Sequence, residues 1–468
     1  MIESCDTKDK ERILAETESV CPVCLKRIPA ERVSVGDEVF LDKTCPEHGY
    51  FRTVIWRGTP SYAPWHVPKL PSRPPVCATK VDKGCPFDCG LCPEHRQHSC
   101  CVLLEVTQRC NLICPVCFAS AQGADSDPSL RNVETWYQML LDAGGPYNIQ
   151  LSGGEPTVRD DLPEIVALGR SLGFDFIQLN TNGLRLAGDS AYLKRLKEAG
   201  LSCVFLQFDG TNDAIYETIR GTALLDKKKA AIARCAEEGL GVILVPTLMP
   251  GINTQNIGSI ISFAVNNMPA VRGVHFQPIS YFGRYPKRPS NEDRITIPEV
   301  IRSIEQQTNG LMKAEHFRPP QGENAYCSFH GNFILMPNGV MRSRDNEKQV
   351  GCCGPQPAAV GAKKAQHFVA QRWSSSKRRY GATTTQDGTA CCGSMDLRSL
   401  DAFLDRADEY SLCVSGMAFQ DAWNLDLERL RGCFIHVVSH DNKVIPFCAY
   451  NLTNKQGMPL YRCRRDNL

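Results

Sequence analysis

The chain carries almost no net charge: 53 Lys and Arg against 51 Asp and Glu leave +2 over 468 residues. A surface so balanced offers no electrostatic footprint for nucleic acid or for an anionic membrane. No apolar run reaches the about 18 residues that a bilayer-spanning helix needs. The opening stretch, Met1-Ile2-Glu3-Ser4-Cys5-Asp6, lacks both a positive n-region and an apolar core, so no signal peptide is expected and a cytoplasmic location is. Cysteine, by contrast, is plentiful, with 24 in all. Without a secretory signal these read as metal ligands rather than disulfides, and the length allows two or three domains.

The most informative cysteines are Cys110, Cys114 and Cys117, in the run Cys-Asn-Leu-Ile-Cys-Pro-Val-Cys. Three thiolates within eight residues can hold three irons of a four-iron cluster and leave the fourth open, whereas clusters normally take four cysteines. The alternative is a zinc knuckle short of one ligand. The triplet follows a strand-like stretch, Val102–Val106, and precedes a train of β/α units. Strands are expected at Asn148–Leu151, Phe174–Leu179, Cys203–Phe208, Val242–Val245 and Gly273–Phe276. Between them, helical periodicity covers Val133–Leu141, Leu162–Leu172, Tyr192–Ala199, Lys227–Glu238 and Ile257–Asn266. Six strands alternating with helices predict an α/β fold with a parallel sheet and right-handed crossovers, a partial (β/α)6 barrel. Loops at the carboxyl ends of such strands share one rim, where barrel enzymes keep their active sites. The triplet, the turn Gly153-Gly154-Glu155-Pro156, Asn180–Gly183 and Asp209-Gly210 all fall there.

Other cysteines sit at metal-ligand spacing. Cys21-Pro-Val-Cys24 and Cys45-Pro-Glu-His48 form two hooks around an expected β-hairpin, as in zinc ribbons and rubredoxin-like sites, and predict one mononuclear Fe or Zn ion. Cys85, Cys89 and Cys92 repeat the spacing of the first triplet, with Cys100 or Cys101 near enough in sequence to supply a fourth thiolate. This second cluster is expected to be auxiliary, since no Gly-Gly-Glu turn or barrel follows it. In the C-terminal third, a hairpin turning at Ser439–Asn442 would set Cys433 opposite Cys448, with Cβ atoms about 4.5–5.5 Å apart. Cys327 is the expected third ligand of that centre, and Cys352, Cys353, Cys391, Cys392 and Cys413 are candidates for a fourth. Residues 354–390 are polar, carry Lys377-Arg378-Arg379 and read as a surface insertion. The expected division is 1–70 (mononuclear metal), 71–100 (auxiliary cluster, entered through Pro71-Ser-Arg-Pro-Pro75), 101–320 (barrel) and 321–468 (C-terminal cluster).

Over about residues 101–285 the chain resembles the radical S-adenosylmethionine (SAM) superfamily, whose motif places an apolar residue, here Val116, before its last cysteine. The resemblance implies that the open iron of a 4Fe-4S cluster binds the amino and carboxylate groups of SAM. Reduction then yields methionine and a 5′-deoxyadenosyl radical. It further implies that Gly153, Gly154 and Glu155 approach the methionine amine, glycines permitting close contact and a carboxylate complementing an ammonium. Asn180 and Asn182 are candidates to donate to ribose or the SAM carboxylate, although Asn182-Gly183 is also a turn signal. Gln207 and Asp209 leave the fourth strand and are candidates to face SAM or substrate.

Taken with Gly84–Cys92 and Ala418-Phe-Gln-Asp-Ala-Trp423, the whole chain resembles a narrower group, the tetraether lipid synthases and pterin-methylase-like (class D) radical SAM methyltransferases. That implies C–C bond formation at an unactivated carbon, either methylation of a small pterin-like substrate or coupling of lipid alkyl chains, with a low-potential donor such as ferredoxin or flavodoxin. A non-catalytic multi-cluster electron carrier is the reading from another class.

Overall fold

The computed structural model describes residues 11–121, 127–344, 354–374 and 400–462. Four antiparallel strands, paired in chain order, come first: β1 (Arg12–Val20), β2 (Arg27–Val35), β3 (Glu38–Cys45) and β4 (Gly49–Arg57). Alternation makes them strands: in β3, Val39, Leu41 and Cys45 point inward and Phe40 and Asp42 outward. Gly49 opens β4 at φ +79° with nothing near its Cα, so the turn needs glycine for its dihedral alone.

The second sheet has 12 strands. At its centre lie β5 (Cys101–Thr107), β6 (Asn148–Gly153), β7 (Ile177–Thr181), β8 (Cys203–Gln207), β9 (Gly241–Val245) and β11 (Val271–Pro278), parallel and neighbours in that order, with β10 (Thr247–Leu248) pairing beside β11. These are the six expected strands. The crossovers carry the expected helices, among them Leu130–Asp142, which Ser129 caps by accepting from the Asn132 amide. Its Val133, Trp136, Tyr137 and Leu140 form one buried stripe. Against these helices the sheet presents Val102, Leu104, Val106, Ile149, Leu151, Val204, Leu206, Val242 and Leu244, all buried. The alternate strand positions face the other way, into the barrel.

Two arrangements differ from expectation. C-terminal strands extend the barrel sheet at both edges: β14 (Ser411–Met417) runs parallel to β11, and β12 (Ser328–Leu335) and β13 (Met341–Ser343) continue beyond it. At the far edge, β15 (Ile435–Val438) runs parallel to β5, with β16 (Val444–Pro446) folded back on it. The stretch expected as a surface insertion is, over its described part, a helix (Ala358–Trp373) that closes the barrel's amino-terminal end. Trp373 stacks on Phe205 with ring centroids 5.3 Å apart and reaches His275 at 6.1 Å. The Asn148 amide donates to the Gln366 carbonyl at 3.0 Å. A polar composition hid one buried edge of small residues, where a side chain on Gly361 would meet the Gln321 carbonyl at 2.2 Å. Lys377, Arg378 and Arg379 lie outside the described residues. No helix among the described residues is long and apolar enough to cross a membrane.

Candidate active site and metal centres

Cys110, Cys114 and Cys117 occupy the loop that leaves the carboxyl end of β5. Their thiols act on one another electrostatically, and burial pushes Cys110 up to about 11. No three of them fall within the spacing that a single ion needs. Thiols near one another but spaced wider than one ion would take them fit a cluster that deprotonates them on binding. The loop is clamped from several sides. Cys117 exchanges both backbone hydrogen bonds with Arg284, at 2.9 Å each, and Arg284 Nε donates to the Cys114 carbonyl at 2.8 Å. Arg284 Nη2 is buried without a partner among the described residues, as befits a donor awaiting an anionic group.

The Gly-Gly-Glu turn packs on this loop. A Cβ on Gly153 would lie 2.1 Å from the Thr107 carbonyl oxygen, and one on Gly154 2.1 Å from that of Arg109. The Gly154 and Glu155 amides donate to those same carbonyls at 2.9 and 2.8 Å. Both glycines are thus required by the close approach of two backbones. Glu155 is buried, and its Oε1 accepts from the Thr157 amide, Thr157 Oγ1 and Thr181 Oγ1. Its Oε2 accepts only from the Asn182 amide among the described residues, at 2.6 Å. The carboxylate therefore ties the second strand end to the third. Asn182 reaches the cysteine loop, donating to Asn111 Oδ1 at 2.7 Å, while its Oδ1 accepts from the Leu184 amide as turn chemistry requires. Asn180 is half-buried and faces the barrel interior, its amide 3.5 Å from Ser152 Oγ.

Asp209 is not where its position in the sequence led. Rather than facing the lumen it is fully buried and takes the Arg220 guanidinium on both oxygens, at 2.7 and 2.8 Å. Arg220 extends on to the Val116 carbonyl at 3.2 Å, and its charge works against the burial that raises the Cys114 pKa. A buried cation must be paired, and Asp209 is that pair. Gln207 lies between Arg220 and Lys228: in one amide orientation its oxygen accepts from Lys228 at 3.4 Å, and in the other from Arg220 at 3.2 Å. Lys228, fully buried under the loop, donates to the Asn182 carbonyl at 2.6 Å, and burial lowers its pKa to about 8.

In the ribbon, Cys21, Cys24, Cys45 and His48 converge as the hooks predict, all ligand atoms lying within 4.8 Å of one another. Cys24 and Cys45 sulfurs are 4.0 Å apart, and His48 Nδ1 lies 3.4 Å from Cys45 and 3.7 Å from Cys21. A tetrahedral ion with bonds of about 2.3 Å to sulfur sets its ligands at just such separations. Burial pushes the Cys21 thiol up to about 11; burial acts likewise on Cys45, but hydrogen bonds led by that from His48 bring it down to about 6.

Cys85, Cys89 and Cys92 also come together, buried, with Cys89 raised by Cys85 and by burial. Asp88 Oδ2 folds their loop by accepting from the amides of Asp82, Lys83 and Gly84. Cys100 does not join them. It packs with Ala362, Met417 and Phe434 in a separate apolar cluster, and its thiol feels Cys101 and Glu323. Chain proximity misled because Cys100 already belongs to the approach to β5, its amide bonded to Phe434.

Cys433, Cys448 and Cys327 gather at the C-terminal centre, where Cys433 feels both others. The way they meet departs from the expected hairpin. Pairing runs His436–Pro446, Val437–Ile445 and Val438–Val444, so Cys433 would face Ala449 rather than Cys448. Cys448 lies on the helical turn Phe447–Tyr450, where its sulfur accepts from the Gln420 amide at 3.3 Å. Arg429 Nη2 points at Cys327 Sγ, 3.5 Å away. Cys413 stands mid-strand opposite Gly273, five residues along β14 from where Ala418 bonds the Cys327 carbonyl, or about 16 Å. Cys352, Cys353, Cys391 and Cys392 lie outside the described residues.

The stretch 418–426 joins these parts. Asp421 takes Arg294 on both oxygens and the Tyr281 amide on one. Asp426 takes Arg32 of the ribbon at 2.8 Å, and the Ala422 carbonyl takes Lys43 at 2.8 Å. Arg220, Arg284 and Arg429 escaped the sequence reading: each looks like an ordinary cation at a helix end or in a loop, and only the fold aims it at a cysteine loop.

Residues 104–264 match the radical SAM superfamily, and residues 13–57 match the HMPTM N-terminal zinc ribbon domain. A 7,8-dihydro-6-hydroxymethylpterin dimethyltransferase of Methanocaldococcus jannaschii is 35% identical over 477 residues, covering 94% of each chain. The Fe-coproporphyrin III synthase of Methanosarcina barkeri is 35% identical over 198 residues, 41% of this chain and 47% of that one. A probable GTP 3′,8-cyclase of Methanothermobacter thermautotrophicus is 33% identical over 162 residues, 34% of this chain and 52% of that one. Those two matches are partial, whereas the first runs nearly the length of both chains. The chain belongs to the radical SAM superfamily, in the family that includes the Methanocaldococcus pterin dimethyltransferase, and is a transferase-class enzyme whose cofactors are a 4Fe-4S cluster and SAM.

Proposed function

We propose that the protein methylates a small pterin-like heterocycle at an unactivated carbon. The observation that carries this reading is the lining of the barrel. Apart from Cys101 at its base, every half-exposed position on the six strands is an amide or imidazole side chain: Gln150, Asn180, Gln207, His275 and Gln277. Gln150, Gln207 and His275 already bond Gln178, Lys228 or Arg220, and Ser415; a lumen so lined with polar groups suits a flat ring with donors and acceptors on its edge better than an alkyl chain. The dimethyltransferase relative supports the same substrate class. Alkyl coupling is therefore not favoured.

The bound cluster and SAM would supply a primary carbon radical able to break a strong C–H bond. Cys110, Cys114 and Cys117 would hold the cluster, Arg220 and Arg284 would fix their loop, and Gly153, Gly154, Glu155, Asn180 and Asn182 would line the SAM side. The helix Ala358–Trp373 keeps water from entering below. Cys85, Cys89 and Cys92 would hold one auxiliary cluster, with no fourth cysteine beside them among the described residues, Cys327, Cys433 and Cys448 a second, and the ribbon a single zinc or iron ion. A groove of about 490 Å3 beside the second triplet, lined by Arg73, Arg96, Glu94 and an Arg431 that pairs with Glu18, carries a net positive charge that suits docking of an acidic donor such as ferredoxin or flavodoxin.

The test is anaerobic reconstitution followed by SAM, dithionite, a reduced folate-type carrier as the source of the one-carbon unit, and 6-hydroxymethyl-7,8-dihydropterin. The expected products are 5′-deoxyadenosine and a pterin heavier by one methylene. Fully iron-loaded protein that forms no 5′-deoxyadenosine would point to the electron-carrier reading, and cleavage without a heavier pterin would overturn the substrate.

A further inference from the structure

Arg429 presents a problem in charge. Its side chain is buried, its Nη2 bonds only Cys327 Sγ at 3.5 Å and the Ala418 carbonyl at 3.0 Å, and its Nε finds no partner among the described residues. No carboxylate among the described residues pairs with it: Asp426, which acts on it, is already bound by Arg32 at 2.8 Å. Arg220, the equally buried arginine beside the first triplet, is neutralised on both prongs by Asp209. A guanidinium does not shed its proton in a protein, and an unpaired buried cation costs several kcal/mol. The groups left to balance it are the sulfurs of Cys327, Cys433 and Cys448. Bound to metal as thiolates, these sulfurs supply the anion.

We propose that Arg429 is the counter-charge of the C-terminal thiolate centre and sets its reduction potential, making that centre an electron acceptor for the protein's low-potential donor. This rests on the reading above that the three cysteines hold a four-iron cluster. Three thiolates on an oxidised core of charge 2+ leave one negative charge, which Arg429 cancels. One electron from the donor takes the core to 1+ with no proton or atom moving, and Arg429 stabilises the charge that results. Its Nη2 at the Cys327 sulfur and its unused Nε place that stabilisation at the cluster face.

The experiment is an electron paramagnetic resonance redox titration with dithionite of the full chain carrying C110A/C114A/C117A, which removes the SAM-binding centre. Adding C327A identifies the C-terminal signal as the one that disappears. R429M should lower the equilibrium constant for reducing that signal about tenfold or more, which is about 59 mV for one electron, while R429K should keep most of it. An unchanged potential in R429M at full iron content overturns the proposal. Loss of iron at this centre in R429M but not in R429K supports it, and equal loss in both overturns it in favour of a packing role. C327A that leaves iron content and spectra unchanged instead sinks the C-terminal cluster itself.

Discussion

In the ribbon, two thiols stand 4.0 Å apart with an imidazole 3.4 Å from one of them, and four side chains close around one point. In the loop after β5 three thiols stand wider, with no fourth among the described residues, and the order comes from outside: Arg284, Arg220, Asn182 and two glycines grip the backbone. Saturated ligation suits a site that stabilises a fold, and partial ligation with external support suits one that must admit a ligand. The same residue type serves both ends because spacing and second-layer partners, rather than cysteine itself, decide coordination number.

The largest effect should come from splitting the two sites by mutation. Cys114→Ala should reduce 5′-deoxyadenosine formation to background, whereas Cys21→Ala at matched iron loading should preserve it and lower the thermal stability of the ribbon. Equal loss in both variants would erase the distinction. Next in size, Arg32→Met would strand the buried Asp426 carboxylate and should cost about 3 kcal/mol. Faster proteolytic release of residues before 60, with SAM cleavage maintained, is the sign to look for. Gly154→Ala should cost about 2–3 kcal/mol by forcing two backbones apart. Because that strain falls on the loop, its readout is loss of cluster iron with ribbon metal retained.

The smallest effect concerns Lys228. Its folded pKa, lowered to about 8, lies below its unfolded value of about 10.4. Between these the unfolded chain binds the extra proton, so the group makes stability rise with pH across that window and contributes a constant penalty below it. Lys228→Met should flatten the dependence of unfolding temperature on pH from 8 to 10, and an identical slope would show that Lys228 is charged when folded.

The parallel strands and their helices were legible because hydrophobic period survives folding, and the metal sites because ligand spacing is local. The C-terminal hairpin shows where that stops. The assumed turn was four residues, but Ser439 pairs with Lys443 and Asn442 takes a left-handed φ of 56°, adding one residue and shifting the register. Asp209 looked like a rim residue because nothing in sequence ties a strand end to Arg220 at the close of the next helix. The helix at 358–373 looked like surface because its buried edge is made of Ala and Gly, with Trp373 as its only large apolar anchor.

The edges of the barrel sheet carry a last consequence. β5 is flanked by β15 and β11 by β14, pairings that join segments 334 and 140 residues apart (Leu103 with Val437, Gly273 with Cys413). A nascent polypeptide would therefore have its central strands ready long before their borders are covered. Such non-local closure is slow and leaves edges open meanwhile. Cofactor loading into the loop after β5 should thus follow synthesis of the C-terminal strands rather than accompany that of the barrel.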